Sequence, residues 1–145
     1  MHFIGIDIGT SSICGVVYHP STQSVISVTK ENCANISSPD NWEKKQDADI
    51  IINIVWDIVR EFQTRYKDIG GIGITGQMHG IVYTDVQGNA VSPLYTWQDG
   101  RGNLRYKDNL NYATHLKNIT GYPAASGYGL VTHYYNIQNL SLIHI

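Results

Sequence analysis

The chain has 145 residues, of which 42% are hydrophobic and 15% are charged. This length suffices for one ordinary domain, and the composition is that of a globular protein, not of a disordered or membrane protein. The formal net charge is −2 and the longest basic run is Lys44-Lys45, which excludes a basic surface for nucleic acid or anionic lipid.

No targeting or membrane segment is predicted. Asp7 interrupts the start of the chain, where a secretory signal needs unbroken apolar residues. The longest apolar stretch, 50–59, contains Asn53 and Asp57 and is shorter than the roughly 20 residues of a membrane span. We therefore expect a cytoplasmic protein, in which Cys14 and Cys33 are reduced, buried thiols.

The first 30 residues predict three strands. Phe3–Ile8 reads as a strand buried on both faces, and Ile13–Tyr18 as a second. Only Gly9–Ser12 separates them, so we expect an antiparallel hairpin. Val25–Thr29 alternates apolar and polar residues and predicts a third strand.

The middle of the chain predicts a loop, a helix and a further strand. Residues 31–46 have no sustained period and indicate a loop. From Asp47 to about Tyr66, apolar residues recur at helical spacing, and we expect the helix to end near Gly70-Gly71. Ile72–Thr75 then predicts a short strand parallel to the first.

The last third predicts a hairpin and two helices. His79–Thr84 and Ala90–Tyr95 flank a loop rich in turn-forming residues, which favours a hairpin. Gly102–Lys117 and Leu130–Leu140 are predicted helices. Together these elements indicate an α/β fold with a mixed sheet.

The residues Asp7 to Ser12 form the first candidate site, with the sequence DIGTSS. Small residues let the backbone approach a phosphate, hydroxyl groups donate hydrogen bonds, and a carboxylate can hold hydrated Mg²⁺. There is no Walker A pattern, because the glycine turn leads into a strand and not into a helix. The alternative is a plain β-turn of small polar residues.

A second candidate site is Gly73–Gly80, with the sequence GITGQMHG. Its glycines allow close approach to a small polyol, His79 can donate to a sugar hydroxyl, and Met78 can shape a pocket wall. The alternative is that His79 forms only structural hydrogen bonds.

The third candidate site is Thr96–Arg101, with the sequence TWQDGR. An aromatic ring can cover the C–H face of a sugar while a carboxylate and an amide bind its hydroxyls. The alternative is a structural contact between Asp99 and Arg101, with Trp97 in the core.

The order and spacing of these motifs resemble the FGGY family of carbohydrate kinases, over residues 3–138. The resemblance rests on the opening GIDIGTSS, on GQMHG after the first crossover helix, and on WQDGR. It implies a ribonuclease H-like fold of the actin and sugar kinase superfamily, with a mixed sheet of the five-stranded type flanked by helices. Residues 1–145 would be an incomplete N-terminal, sugar-binding domain, with the C-terminal ATP-binding domain absent.

Within the family, GQMHG is typical of xylulose and sedoheptulose kinases, whereas glycerol kinases carry Arg-Glu in place of Met78-His79. TWQDGR and the segment 120–129 are most similar to kinases that act on sedoheptulose. The resemblance thus implies ATP-dependent phosphorylation of sedoheptulose to sedoheptulose 7-phosphate. Xylulose or another pentulose is the alternative substrate.

The resemblance also implies roles for individual residues. Asp7 would position Mg²⁺, through water, and the phosphates. The ATP phosphates would face Gly9, Thr10, Ser11 and Ser12. The sugar pocket would be lined by Gln77, Met78, His79, Trp97, Asp99 and Arg101. In the family the general base is an Asp later in the N-terminal domain, and no matching motif occurs in these 145 residues.

We accordingly expect the isolated chain to have little or no kinase activity. A rival hypothesis is a non-catalytic module that binds sugar without transferring phosphate. The terminal residues 141–145 do not resemble the family continuation. The sequence makes no prediction of oligomeric state.

Overall fold

A computed structural model describes residues 1–140, which lie in two compact units. The first unit comprises Met1–Ala34 and Asp49–Gln77, and the second comprises Asn35–Ala48 and the residues from Met78 onward. In chain order the elements are β1 (His2–Ile8), β2 (Ser12–His19), β3 (Ser24–Glu31), β4 (Asn35–Ile36), β5 (Lys45–Gln46), α1 (Ala48–Arg65), β6 (Ile69–Gly76), β7 (Leu94–Tyr95), a 3-10 helix (Arg101–Asn103), α2 (Tyr112–Thr120) and α3 (Gly129–Asn139).

The first unit contains a four-stranded mixed sheet. The strand order is β3-β2-β1-β6, with β1 antiparallel to β2 and parallel to β6. The predicted hairpin, third strand and parallel strand are all confirmed. The sheet was expected to have five strands, and four of them are present in the part of the chain that the structure describes.

Helix α1 covers one face of this sheet. Its apolar side chains at three- and four-residue spacing, among them Ile58 and Phe62, are fully buried together with Ile6 and Ile13 of the sheet. Gly15 of β2 is required beneath them, because a Cβ atom there would lie 2.3 Å from Cγ2 of Ile58. The side of α1 that faces away from the sheet carries an ion pair between Glu61 and Arg65, with 2.9 Å between nitrogen and oxygen.

The prediction that β1 is buried on both faces is wrong. The side chains of Ile4 and Ile6 point under α1, whereas Phe3 and Asp7, on the opposite face, are exposed. On that face the two glycines Gly5 and Gly73 leave a hollow of about 400 Å³ beside Asp7. A short apolar run indicates a strand, but it does not show whether a second layer covers it.

The second unit is built from short elements. Strands β4, β5 and β7 form a small antiparallel sheet, in a region that the sequence predicts as loop. The predicted hairpin 79–95 is reduced to single bridges, Ile81 with Tyr95 and Thr84 with Ala90, because β7 pairs with β5 instead of with its neighbour in sequence.

Of the two predicted helices of this unit, one is confirmed and the other begins later than predicted. Leu130–Leu140 is confirmed as α3, and the predicted helix 102–117 is wrong in its first half, because only the short 3-10 helix forms there. Helix α2 starts later, where the Asn111 side chain caps it by accepting a hydrogen bond from the Thr114 backbone N–H at 2.7 Å. It ends at Gly121, whose φ of 73° is left-handed.

Two further expectations concern cysteine chemistry and membranes. Both cysteines are free thiols; Cys14 is half-buried and Cys33 is exposed, so the predicted burial of Cys33 is wrong. Among the helices that the structure describes, none has the length and apolar character needed to cross a bilayer. The expectation for residues 141–145 lies outside the described residues.

Candidate functional site

The predicted phosphate hairpin lies in the first unit, at the turn between β1 and β2. The Gly9 N–H donates to the Ser12 carbonyl oxygen at 2.9 Å, and this closes the turn. A Cβ atom on Gly9 would lie 2.6 Å from that oxygen, so a larger residue cannot occupy the position without moving the backbone. The side chains of Asp7, Ser11 and Ser12 are exposed around it.

The hairpin is held by Asn32, a residue that the sequence analysis did not single out. Its side-chain amide donates to the Gly9 carbonyl oxygen at 2.9 Å, and its backbone N–H donates to the Ser11 carbonyl oxygen at 2.9 Å. Asn32 is itself buried. It follows β3 directly, and only the register of β2 against β3, which places Ser12 opposite Glu31, brings it to the turn.

The structure divides the predicted sugar loop between the two units. Gln77, half-buried, ends the first unit, and Met78, His79 and Gly80 belong to the second. Within the second unit, the Ile81 N–H donates to the Tyr95 carbonyl oxygen at 3.0 Å, and the Tyr95 N–H donates back at 2.9 Å. This pairing places the residues after His79 beside the start of the TWQDGR loop.

Three of the residues predicted to line the sugar pocket are exposed to solvent in the second unit. The exposed fraction is 72% for Met78 and 49% for Trp97, and His79 is also exposed. Trp97 therefore does not lie in the core, which the alternative interpretation of its loop required. His79 has a left-handed φ of 66°, a conformation that costs free energy for a residue with a Cβ and often marks a functional loop.

Asp99 and Arg101 are placed differently, since each is only 1% exposed. The Arg101 Nε donates to Oδ1 of Asp99 at 2.7 Å, and Nη2 donates to Oδ2 at 3.1 Å. The Asp99 carboxylate also accepts from the Lys44 backbone N–H at 3.1 Å. The structural contact named as the alternative for these two residues is therefore observed, and both lie beneath the surface instead of on it.

Arg101 is the centre of a buried polar and aromatic cluster. Its guanidinium lies 4.1 Å from the ring centroid of Tyr95 and 5.3 Å from that of Tyr135, donates to the Asn136 side-chain oxygen, and lies 3.3 Å from Glu43. Burial alone would lower the pKa of Arg101, but the hydrogen bonds and charge of Asp99 raise it. The guanidinium therefore stays charged, and it fixes the shape of the TWQDGR loop from below.

A polar hollow of about 440 Å³ borders the same loop. It is lined by Thr96, Gln98 and the segment around β4 and β5, including Asn41, Glu43 and Lys45. Lys45 and Glu43 pair at 2.7 Å, and the Ser38 hydroxyl donates to Glu43 at 2.7 Å. Burial of Glu43 opposes these contacts, but together they lower its pKa. The sequence did not predict this hollow, because residues from 35 to 98 meet there only through pairing of the short strands.

Solved structures with a similar fold identify the class of protein to which this fold belongs. The crystal structure described as a xyloylose kinase from Brucella ovis aligns with 96% of this chain and 30% of its own, with a TM-score of 0.77 and 23% identity. Glycerol kinase from Plasmodium falciparum aligns with 98% of this chain and 29% of its own, with a TM-score of 0.72 and 18% identity. At these identities the likeness shows the fold, which is that of the sugar kinases.

Sequence comparison gives the family. Residues 2–133 match the FGGY family of carbohydrate kinases, N-terminal domain. The chain is 31% identical to the xylulose kinase of Staphylococcus xylosus, over 74% of this chain and 22% of the relative, and 29% identical to the sedoheptulokinase of Mus musculus, over 88% and 32%. The chain belongs to the FGGY family of carbohydrate kinases, and it spans about a fifth to a third of the length of these relatives.

Proposed function

We propose that residues 1–145 are the sugar-binding part of a cytoplasmic, ATP-dependent ketose kinase. The proposed substrate is sedoheptulose, phosphorylated to sedoheptulose 7-phosphate, with xylulose as the alternative. The similar proteins from Mus musculus and Staphylococcus xylosus carry the corresponding names. We further propose that the ATP-binding domain and the general base belong to parts of the protein outside these residues.

The observation that carries the proposal is that Met78, His79 and Trp97 are all exposed, on two loops that the pairing of Ile81 with Tyr95 brings side by side. Apolar side chains that lie exposed on adjacent loops can mark a ligand-binding site. An indole ring can cover the apolar C–H face of a sugar, and an imidazole can donate to a hydroxyl. These are the contacts that a linear or cyclic ketose requires.

Asp99 and Arg101 contribute to the proposed pocket indirectly. Their side-chain groups are buried and engaged with each other, so they suit the role of holding Trp97 and Gln98 in place. The predicted contact of Asp99 and Arg101 with sugar is thereby replaced by a positioning role. Binding sites of this kind need a supporting shell, because a loose loop loses affinity to conformational entropy.

The hairpin of the first unit suits the phosphates of ATP. The exposed hydroxyl groups of Ser11 and Ser12 can donate to phosphate oxygens, and the glycine turn leaves the backbone accessible. Asp7 is a single exposed carboxylate, which fits Mg²⁺ because this ion keeps several waters and binds through one or two carboxylates plus phosphates. When bound, Mg²⁺ supplies neutralisation of phosphate charge during transfer.

The role left to these residues is positioning. Phosphoryl transfer needs an attacking hydroxyl held in line and developing charge stabilised. His79 and Trp97 would hold the ketose, and Asp7 with the serine hydroxyls would hold the phosphate end of the nucleotide. Removal of the proton from the attacking hydroxyl requires a base that none of the proposed residues supplies.

Titration calorimetry of the chain with sedoheptulose, xylulose and glycerol tests the proposal. We expect sedoheptulose to bind more tightly than xylulose, and glycerol not to bind. His79→Ala should weaken ketose binding at least tenfold, whereas Val86→Ala, at a residue that is almost fully exposed and has no place in the proposed pocket, should not. Equal ketose affinity in the His79 variant would refute the pocket assignment.

The same samples separate the two functional hypotheses. With ATP and Mg²⁺ added, the isolated chain should turn over little or no sedoheptulose, because the base is missing. The longer protein that contains this segment should turn over sedoheptulose in a coupled ADP assay. Ketose binding by both proteins, with turnover by neither, would support the non-catalytic sugar-binding module.

A further inference from the structure

The first turn of α3 joins the two predicted sugar loops of the second unit. We infer that Tyr128 is a positioning and specificity-determining residue of the ketose site, which acts by stacking on His79. This inference rests on the proposed function. It adds a third loop, 126–129, to the two that the motifs predict.

The stack itself is close and parallel. The ring centroids of His79 and Tyr128 lie 4.2 Å apart, and the ring planes are inclined by only 5°. His79 is exposed and Tyr128 is 38% exposed, so neither ring is part of the buried core. The contact therefore restricts the imidazole at the surface, where a ligand can reach it, and adds little to core packing.

The backbone around Tyr128 holds the ring in place. Gly127 has a φ of 86°, and a Cβ atom there would lie 1.8 Å from the Trp97 carbonyl oxygen. On the other side of Tyr128, a Cβ atom on Gly129 would lie 3.3 Å from the His79 carbonyl oxygen. The segment is thus fitted between the two sugar loops, in a space that admits only glycine at 127 and a very small residue at 129.

Hydrogen bonds fix the same segment. The Ser126 hydroxyl donates to the Asp99 carbonyl oxygen at 3.0 Å, and the Tyr128 N–H donates to the Ala125 carbonyl oxygen at 3.1 Å. The Tyr128 carbonyl oxygen accepts from the Thr132 N–H at 3.0 Å, which starts α3. The buried cluster beneath Asp99 is therefore connected to Tyr128, and through its ring to His79.

The chemistry of the stack makes a specific prediction. Stacking uses the face of the tyrosine ring and not its hydroxyl, so phenylalanine should replace Tyr128 with ketose affinity within about twofold. A leucine keeps similar bulk but cannot stack, so it should weaken ketose binding by about threefold to tenfold, the range that an aromatic pair contributes. The stacked rings orient the His79 imidazole as a donor for a polyol hydroxyl. Glycerol should remain unbound in every variant, because it is too short to span the site.

A double-mutant cycle with sedoheptulose as the probe tests whether Tyr128 acts through His79. The variants are Tyr128→Leu, His79→Ala and the two combined, with Tyr128→Phe as the conservative replacement. Tyr122→Leu, at a tyrosine that is 74% exposed, is the matched control and should bind as the unmodified chain does. The combined variant should bind no more weakly than His79→Ala alone.

The imidazole resonances of His79, followed as sedoheptulose is added, give a second readout that a purely structural stack would not move. Ring-current shifts should be present in the unmodified chain and in Tyr128→Phe, and absent in Tyr128→Leu, while thermal unfolding stays similar. Additive losses in the cycle would overturn the inference, since Tyr128 would then act independently of His79. So would ketose binding that leaves the His79 resonances unchanged.

A variant in the polar hollow near β5 distinguishes failure of the proposed function from failure of the inference about Tyr128. Asn41→Ala alters its lining and should leave sedoheptulose binding unchanged. Weakened binding in Asn41→Ala, with His79→Ala unaffected, would place the ketose in the hollow and overturn the inference about Tyr128 while the chain remains a sugar-binding domain. If the unmodified chain bound no ketose, the proposed function would fail, and the inference with it.

Discussion

The two units are stabilised in different ways. The centre of the first is aliphatic and aromatic, with Ile6, Ile13, Ile58 and Phe62 almost fully buried beneath α1. The second unit has an apolar cluster around Leu116 and Val131, but it also buries the polar side chains of Asp99, Arg101 and Asn136. Regular strands and a helix surround the first, whereas short elements and loops surround the second.

This difference suggests how each unit tolerates change. An apolar core loses free energy in proportion to the area and cavity created, and neighbouring side chains can relax. A buried ion pair behaves otherwise, because removing one partner leaves the other charged and desolvated. We therefore expect the loops of the second unit to depend on a few residues far more than the sheet of the first depends on any one.

The largest effect should follow Arg101→Ala. Asp99 would then keep a buried carboxylate without its guanidinium partner, and the second unit should lose about 3–5 kcal/mol of stability. Urea unfolding followed by tryptophan fluorescence measures this, because two of the three tryptophans, Trp42 and Trp97, lie in that unit. Arg105→Ala is the control, since Arg105 is exposed and its guanidinium donates to the nearby loop residue Asn109. Equal stability of the two variants would show that the buried cluster contributes little.

A smaller loss is expected for Ile58→Ala in the first unit. The substitution removes a fully buried side chain packed over Gly15, and it should cost about 2–4 kcal/mol from lost burial and the cavity left behind. The matched control is Ile52→Ala, on the same helix at a position that is 50% exposed, which should cost less than about 1 kcal/mol. Circular dichroism during urea unfolding distinguishes them; similar midpoints would mean that α1 does not pack as described.

The smallest effect should come from an exposed ion pair of the first unit. The amino terminus, 3.0 Å from Asp68, and next the His2 ring lower the pKa of Asp68 to about 2. Because the folded pKa is below the unfolded value, the pair stabilises the fold above about pH 4, and this contribution is lost as the pH falls toward 2. It should be slight, since Asp68 is exposed and screened by solvent.

Thermal unfolding between pH 2 and pH 6 tests the sign of this effect. Asp68→Asn should flatten part of the acid decline in melting temperature, and 0.5 M NaCl should reduce the difference between the variants. A melting temperature that falls as steeply with acid in Asp68→Asn as in the unmodified chain would assign the acid sensitivity to other carboxylates. A larger loss than for Arg101→Ala would contradict the contrast between the two units.

The order of the strands in the first unit was predictable because its signals are local. The hairpin β1–β2 needs only the turn at Gly9, and α1 is predicted by apolar residues at helical spacing. The parallel placement of β6 follows from the crossover rule for a helix between strands. The open face opposite α1 was not predictable, because the same apolar run serves a strand covered on one face or on two.

In the second unit the pairing decides the structure, and pairing is not local. The partner of β7 is β5, about 50 residues earlier in the chain, so the predicted hairpin 79–95 gave way to single bridges. The region predicted as helix from Gly102 starts with a 3-10 turn, because Gly102 packs against Val131 and Ser126. Local propensity cannot report contacts of this kind.

For the candidate site, the sequence alone determined the residue types and the family. The motifs DIGTSS, GQMHG and TWQDGR specify which atoms are available to phosphate and sugar, because those depend on side-chain chemistry and order. Only the tertiary structure decided which of them reach the surface. It buried Asp99 and Arg101, exposed Trp97, and brought Tyr128 to His79, since burial and stacking depend on contacts between residues distant in the chain.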